Sequence, residues 1–170
     1  MCPTEGRAAT RSLDLGCGRH PENPLNLDEV WGVDVRADLG DRVRVADLVI
    51  EPIPFDDNCF DAVTAFDFIE HIPRLIYAPQ RRYPFVALME DIHRVLKPGG
   101  AFISHTPAFP SPAAFQDPTH VNFITELTFP KYFCGATPLA RMYGFTGQFM
   151  MVEQSWHQEH ALLSFMRKAA

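Results

Sequence analysis

The run Leu13-Asp14-Leu15-Gly16-Cys17-Gly18, followed by Gly32-Val33-Asp34, constrains this chain more than any other feature. A short apolar strand enters a glycine turn, and a second strand ends in an acid placed 16 residues after Gly18. An α/β sheet builds a pocket for a nucleoside-bearing cofactor in this way. Glycine lets the backbone pass close to a ligand where a Cβ would clash, and a carboxylate can accept hydrogen bonds from both ribose hydroxyls.

The rest of the chain bounds what can surround that pocket. With 170 residues and 46% hydrophobic content, the sequence predicts one domain over residues 1–170, with no separate substrate domain. Apolar runs are too short to span a bilayer. Glu5, Arg7 and Arg11 near the start do not resemble a signal peptide, and the expected location is cytoplasmic. Cys2, Cys17, Cys59 and Cys134 are scattered, so reduced thiols are expected, with no disulfide framework and no metal site. A net charge of −6 disfavours a nucleic-acid partner.

Alternating strand-like and helix-like segments predict a parallel α/β sheet, with strands near 11–15, 30–35, 43–47, 60–66 and 100–106. Phe85, Leu88, Met89, Ile92, Val95 and Leu96 recur at helical spacing, so a helix is expected over 85–96, stopped by Lys97-Pro98-Gly99-Gly100. Six prolines between residues 106 and 138 predict loops and short helices. Gly147–Glu153 and His160–Arg167 are rich in β-formers and predict an antiparallel closing pair, joined through the polar stretch Glu153–Glu159.

Several segments in one order resemble the class I S-adenosylmethionine-dependent methyltransferases of the small-molecule type. They are the glycine loop, Gly32-Val33-Asp34, Ala46-Asp47-Leu48, the turn from Ile53 to Asp61, Phe66-Asp67-Phe68-Ile69-Glu70-His71-Ile72, and Leu96-Lys97-Pro98-Gly99-Gly100. The resemblance covers roughly residues 11 to 130. It implies a Rossmann-like, mostly parallel seven-stranded sheet with helices on both faces and an antiparallel edge strand. It also implies S-adenosylmethionine as cofactor and a small-molecule methyl acceptor. Gly16 and Gly18 would then free backbone for the methionine end, with Asp14 fixing the loop or the ammonium. Asp34 would hold the ribose, Val35 would lie against adenine, and Asp47 and the Leu48 N–H would meet the adenine edge. Phe66 and Asp67 would line the methionine arm.

Two departures from the family pattern stand out. His20 occupies the place of a frequent third glycine, and Pro21 and Pro24 forbid a normal first crossover helix, leaving a tight loop with one helical turn near Asn26–Val30. The cofactor carboxylate is then expected to rely on other N–H donors or on Arg19. A first strand beginning near Arg11 leaves the pocket open or covered by a second copy of the chain.

Methyl transfer from a sulfonium needs alignment and water exclusion, plus a base when the acceptor is a hydroxyl or protonated amine. His120, in Gln116-Asp117-Pro118-Thr119-His120, is the leading candidate for that base or for an acceptor contact; His71 is a second and His105 a weaker third. Each has an alternative as a turn-organising residue. Phe109, Phe115, Phe123 and Phe129 could form an acceptor pocket, although core packing is the simpler expectation. Two rivals remain: a nicotinamide-dependent reductase, and a degenerate methyltransferase fold that binds or regulates without catalysis.

Overall fold

The computed structural model describes residues 9–169. The expectations placed on Cys2, Glu5 and Arg7 lie outside the described residues. Seven strands form one sheet: β1 (Arg11–Leu15), β2 (Glu29–Asp34), β3 (Val43–Val45), β4 (Phe60–Phe66), β5 (Leu96–Pro107), β6 (Phe149–His157) and β7 (Ala161–Lys168). Their order is β3-β2-β1-β4-β5-β7-β6. The first five are parallel, whereas β7 runs antiparallel to both β5 and β6. The sheet reverses order between β1 and β4, the place where α/β sheets open a crevice at their strand ends.

Helix α1 (Pro84–Val95) is the long crossover element, and it forms for the reasons its sequence predicts. Pro84 opens it where a missing N–H costs nothing, and Phe85, Leu88, Met89, Ile92 and Val95 turn one face into the core. It ends one residue earlier than predicted, because Leu96 is already extended and pairs with Phe60 as the start of β5. A 3-10 turn, Ile69–His71, follows β4; the short helices α2 (Ala113–Gln116) and α3 (Thr128–Tyr132) and a second 3-10 turn, Leu139–Tyr143, occupy the last third as expected.

The first three crossovers are loops. The expected helical turn near Asn26–Val30 does not form. Asn23 Oδ1 accepts from Leu27 N and Asn23 Nδ2 donates to the Leu27 carbonyl, each at 3.0 Å, and β2 begins at Glu29. That side-chain pair competes with helix for the same backbone groups. The loop before β4 is fixed from α1 instead. Arg94 donates to the Phe55 carbonyl at 2.7 Å, the Ile53 carbonyl at 2.9 Å and Asp57 at 2.9 Å, while Asp91 accepts from Ile53 N.

At the far edge, β6 runs on to His157, so only residues 158–160 connect it to β7 rather than the whole stretch from Glu153. Its polar residues are exposed on an edge strand, where pairing and not hydrophobicity sets the length. Cys17 and Cys134 are free thiols. Cys59 is disulfide-bonded, contrary to the expected reduced state, because separation along the chain does not report approach in space. No helix among the described residues is long and apolar enough to cross a membrane.

Candidate functional site

A cleft of about 420 Å³ opens at the ends of β1, β2 and β4. Gly16, Asp34, Val35, Asp47, Leu48 and Asp67 all line it, and so does His71. The glycine turn explains the close approach. Gly16 has φ +69°, and a Cβ there would stand 2.5 Å from Phe68 Cδ2; its N–H donates to the Val33 carbonyl at 2.8 Å. A side chain at Gly16 would therefore push Phe68 into the cleft and strain the backbone.

Asp34 ends β2 with its carboxylate buried and fully engaged. Gly18 N reaches Oδ2 at 2.9 Å, Arg36 N reaches Oδ1 at 2.9 Å, and the Arg36 guanidinium spans both oxygens at 2.9 and 3.1 Å. Those bonds, led by the guanidinium, hold the Asp34 carboxyl down to about 2. The Arg36 side chain is 64% exposed, so the cation covering Asp34 stands in solvent.

Asp14 lies beneath the glycine turn and does not line the cleft. Its Oδ2 accepts from Glu22 N at 2.9 Å and its Oδ1 from the Thr64 hydroxyl at 2.7 Å, so it fixes the loop, one of its two expected roles. Burial pushes its carboxyl up to about 6. Gly18 and Phe66 also lie off the lining, and Phe68 takes the place expected for Phe66. Phe66 sits beside His105 instead, their rings 6.4 Å apart. β4 ends at Phe66 and Asp67 turns the chain with φ +47°, so Phe68 does not continue the strand's alternation. Arg19 lines a separate depression with Pro21 and Leu39–Val43 and not the cleft.

Asp47 Oδ1 accepts from Val49 N at 3.0 Å and its carbonyl from Glu51 N at 2.7 Å, so it shapes the turn while facing the cleft. Val35 is 64% exposed there, an apolar wall without a protein partner covering it.

At the other end of the cleft His71 lines the wall, and His120, which does not line the cleft, stands against it. The rings of His71 and His120 stand edge-to-face at 4.9 Å. The main chain brings them together: the Glu70 carbonyl accepts from Val121 N and Asn122 N, both at 2.9 Å, and Asn122 Nδ2 donates to the Ile69 carbonyl at 3.1 Å. Arg74 in turn donates to Asn122 Oδ1 at 2.6 Å. Thr119 gives its one hydroxyl proton to Asp117 at 2.6 Å, a carboxylate held below its usual range by Thr119. The 3.0 Å contact between Thr119 Oγ1 and His71 Nδ1 therefore has the imidazole as donor, which leaves Nε2 of the neutral ring with its lone pair.

Glu70 is 1% exposed, and burial raises its carboxyl. One oxygen accepts from the Thr106 hydroxyl at 2.6 Å; the other has no partner, nor has Nδ1 of His120. His105 stands apart, its Nδ1 3.1 Å from Asp67 Oδ1 and its Nε2 3.0 Å from His157 Nδ1. Nothing in the sequence pairs His157 with this strand end, because the register of the closing ribbon brings it there. Phe129 is core, as expected, but Phe109, Phe115 and Phe123 form an exposed aromatic row with ring spacings of 6.4 and 4.8 Å.

Comparison with known proteins agrees with this geometry. The sequence profile of a family described as a methyltransferase domain matches residues 13–104. The sterol 4-C-methyltransferase strm-1 of Caenorhabditis elegans is 34% identical over 65 residues, 38% of this chain but only 16% of that protein. Among solved structures, a SAM dependent methyltransferase from Archaeoglobus fulgidus superposes with TM-score 0.60 at 16% identity, covering 95% of this chain and 87% of that one. The [4+2]-cyclase SpnF does so with TM-score 0.63 at 15% identity, covering 95% and 75%. The positive-φ glycines, the strand-end carboxylate and the exposed apolar wall suit a nucleoside bearing a methionine arm. The chain belongs to the methyltransferase domain family.

Proposed function

We propose that this chain methylates a small-molecule acceptor, bound where the cleft reaches His71 and His120. The observation that supports this reading is one cleft lined by a ribose-type acid at one end and by His71 at the other, with His120 packed against His71 behind that wall. Bound S-adenosylmethionine supplies a methyl group on a sulfonium, whose departure as a neutral thioether needs no acid. The chain's own residues do the rest. Asp34 accepts from the ribose hydroxyls once Arg36 swings away, Val35 covers one face of the base, and Asp47 with the Leu48 N–H meets its edge. Gly16 leaves room for the methionine arm, and Gly18 holds Asp34 in place through its N–H. His71 and His120 contact the acceptor and ease the loss of its proton. The aromatic row of Phe109, Phe115 and Phe123 gives the acceptor side an apolar approach.

A binding or regulatory module without catalysis is the second reading, favoured by one observation: Arg36 already occupies both oxygens of Asp34. Calorimetric titration with S-adenosylmethionine and S-adenosylhomocysteine, with NADH as control, tests both readings. Saturable binding of the first two alone supports the enzyme and opens an acceptor screen. Absence of binding makes the module the better account.

A further inference from the structure

The acceptor end of the cleft contains donors without partners. Glu70, His71 and His120 each offer one ligand atom, and these atoms all lie within 4.8 Å of one another. One carboxylate oxygen of Glu70 and Nδ1 of His120 are both buried without a hydrogen-bond partner. No Lys or Arg among the described residues forms an ion pair with Glu70. A buried carboxylate in such a setting favours a cation.

From this geometry we infer that Glu70, His71 and His120 form a binding site for a first-row divalent transition-metal ion at the acceptor end of the cleft. The inference deepens the methyl-transfer reading and rests on it for the ion's purpose. Two imidazole nitrogens and one carboxylate oxygen suit Zn²⁺, Mn²⁺, Fe²⁺ or Co²⁺ better than Mg²⁺ or Ca²⁺, which prefer oxygen throughout. Bonds of about 2.0–2.2 Å place donors about 3.4 Å apart around a tetrahedral ion, so small rotations of two partly exposed rings close the set. The supporting contacts are built. Thr119 and Asp117 orient His71 so that Nε2 is the free nitrogen, and Thr106 holds the other oxygen of Glu70. Three protein donors leave positions open for an acceptor oxygen, whose proton then leaves more readily. The histidines ease deprotonation through the ion.

The test is metal content and affinity of the full chain after dialysis against Zn²⁺, with Co²⁺ as a visible-absorption probe. The expected result is one ion per chain, with binding weakened about tenfold or more in Glu70→Gln, His71→Ala and His120→Ala, and kept in His157→Ala. His71 is partly exposed, so its variant keeps the test decisive if a change at buried Glu70 disturbs folding. An apo protein under saturating Zn²⁺, or undiminished binding in both His71→Ala and His120→Ala, overturns the site. Parallel titration with S-adenosylhomocysteine separates the two ideas. Cofactor binding without metal removes the ion and leaves methyl transfer standing, whereas metal without cofactor does the reverse.

Discussion

The two ends of the cleft are finished differently. At the ribose end Asp34 has each oxygen satisfied by its own chain, and the last partner is an exposed guanidinium. At the histidine end, Glu70 and His120 keep buried polar atoms unsatisfied although the backbone around them is tightly bonded. The contrast shows two ways of preparing a site. A solvent-facing side chain that can be displaced keeps a carboxylate ionised until a ligand arrives. Buried donors left without partners store a cost that a ligand relieves.

The largest effect expected from breaking this contrast is at His120. His120→Ala should lower turnover by about 100-fold or more while cofactor affinity stays within about twofold, because the ring serves the acceptor and not the nucleoside. Steady-state kinetics beside calorimetry would check this, and equal losses in both would move His120 out of the acceptor site.

The next effect concerns Asp14, under the turn between the two ends. Its carboxyl is raised from 3.8 to about 6, so the folded state prefers the neutral acid. The associated stability is fully present below pH 3.8 and is lost as pH rises through about 6. A two-unit shift corresponds to at most ~3 kcal/mol. Urea unfolding from about pH 4 to 7 should show the gap between the protein and Asp14→Asn changing in that window; a constant gap would show that Asp14 does not titrate there.

Asp34→Ala should weaken cofactor binding by about 1–3 kcal/mol, since the ribose hydroxyls lose their acceptor. Unchanged affinity by calorimetry would take Asp34 out of the site. The smallest effect is at its cover. Arg36→Ala removes only an exposed, solvent-screened ion pair. Cofactor affinity should rise a few-fold because less must be displaced, and a fall would mean that Arg36 contacts the ligand itself.

Where burial and periodicity agreed, the sequence was a good guide: β1, β4 and α1 lie within a residue of their expected bounds. It also singled out Asp34, His71 and His120 before any contact among them could be known. What it hid lay in side-chain choices at strand ends and in approach across the fold. Arg36 closing on Asp34 is a side-chain choice between neighbours, and Phe68 rather than Phe66 faces the cleft because of how β4 ends. Nothing in the sequence around Glu70 signals its burial between β5 and the 117–124 loop. The polar stretch 154–157 hid the second half of β6, because an exposed edge shows little hydrophobic signal.

One carbonyl, that of Glu70, accepts two consecutive N–H groups from Val121 and Asn122. A shift of the post-β5 loop by one residue would break at least one of these bonds, so the spacing between His71 and His120 is set by peptide groups common to every residue except proline. Val121 and Phe123 flank this clasp with exposed side chains. Changes there can reshape the surface that meets an acceptor while the histidine pair keeps its alignment, which makes the loop a fixed hinge-pin with an interchangeable face.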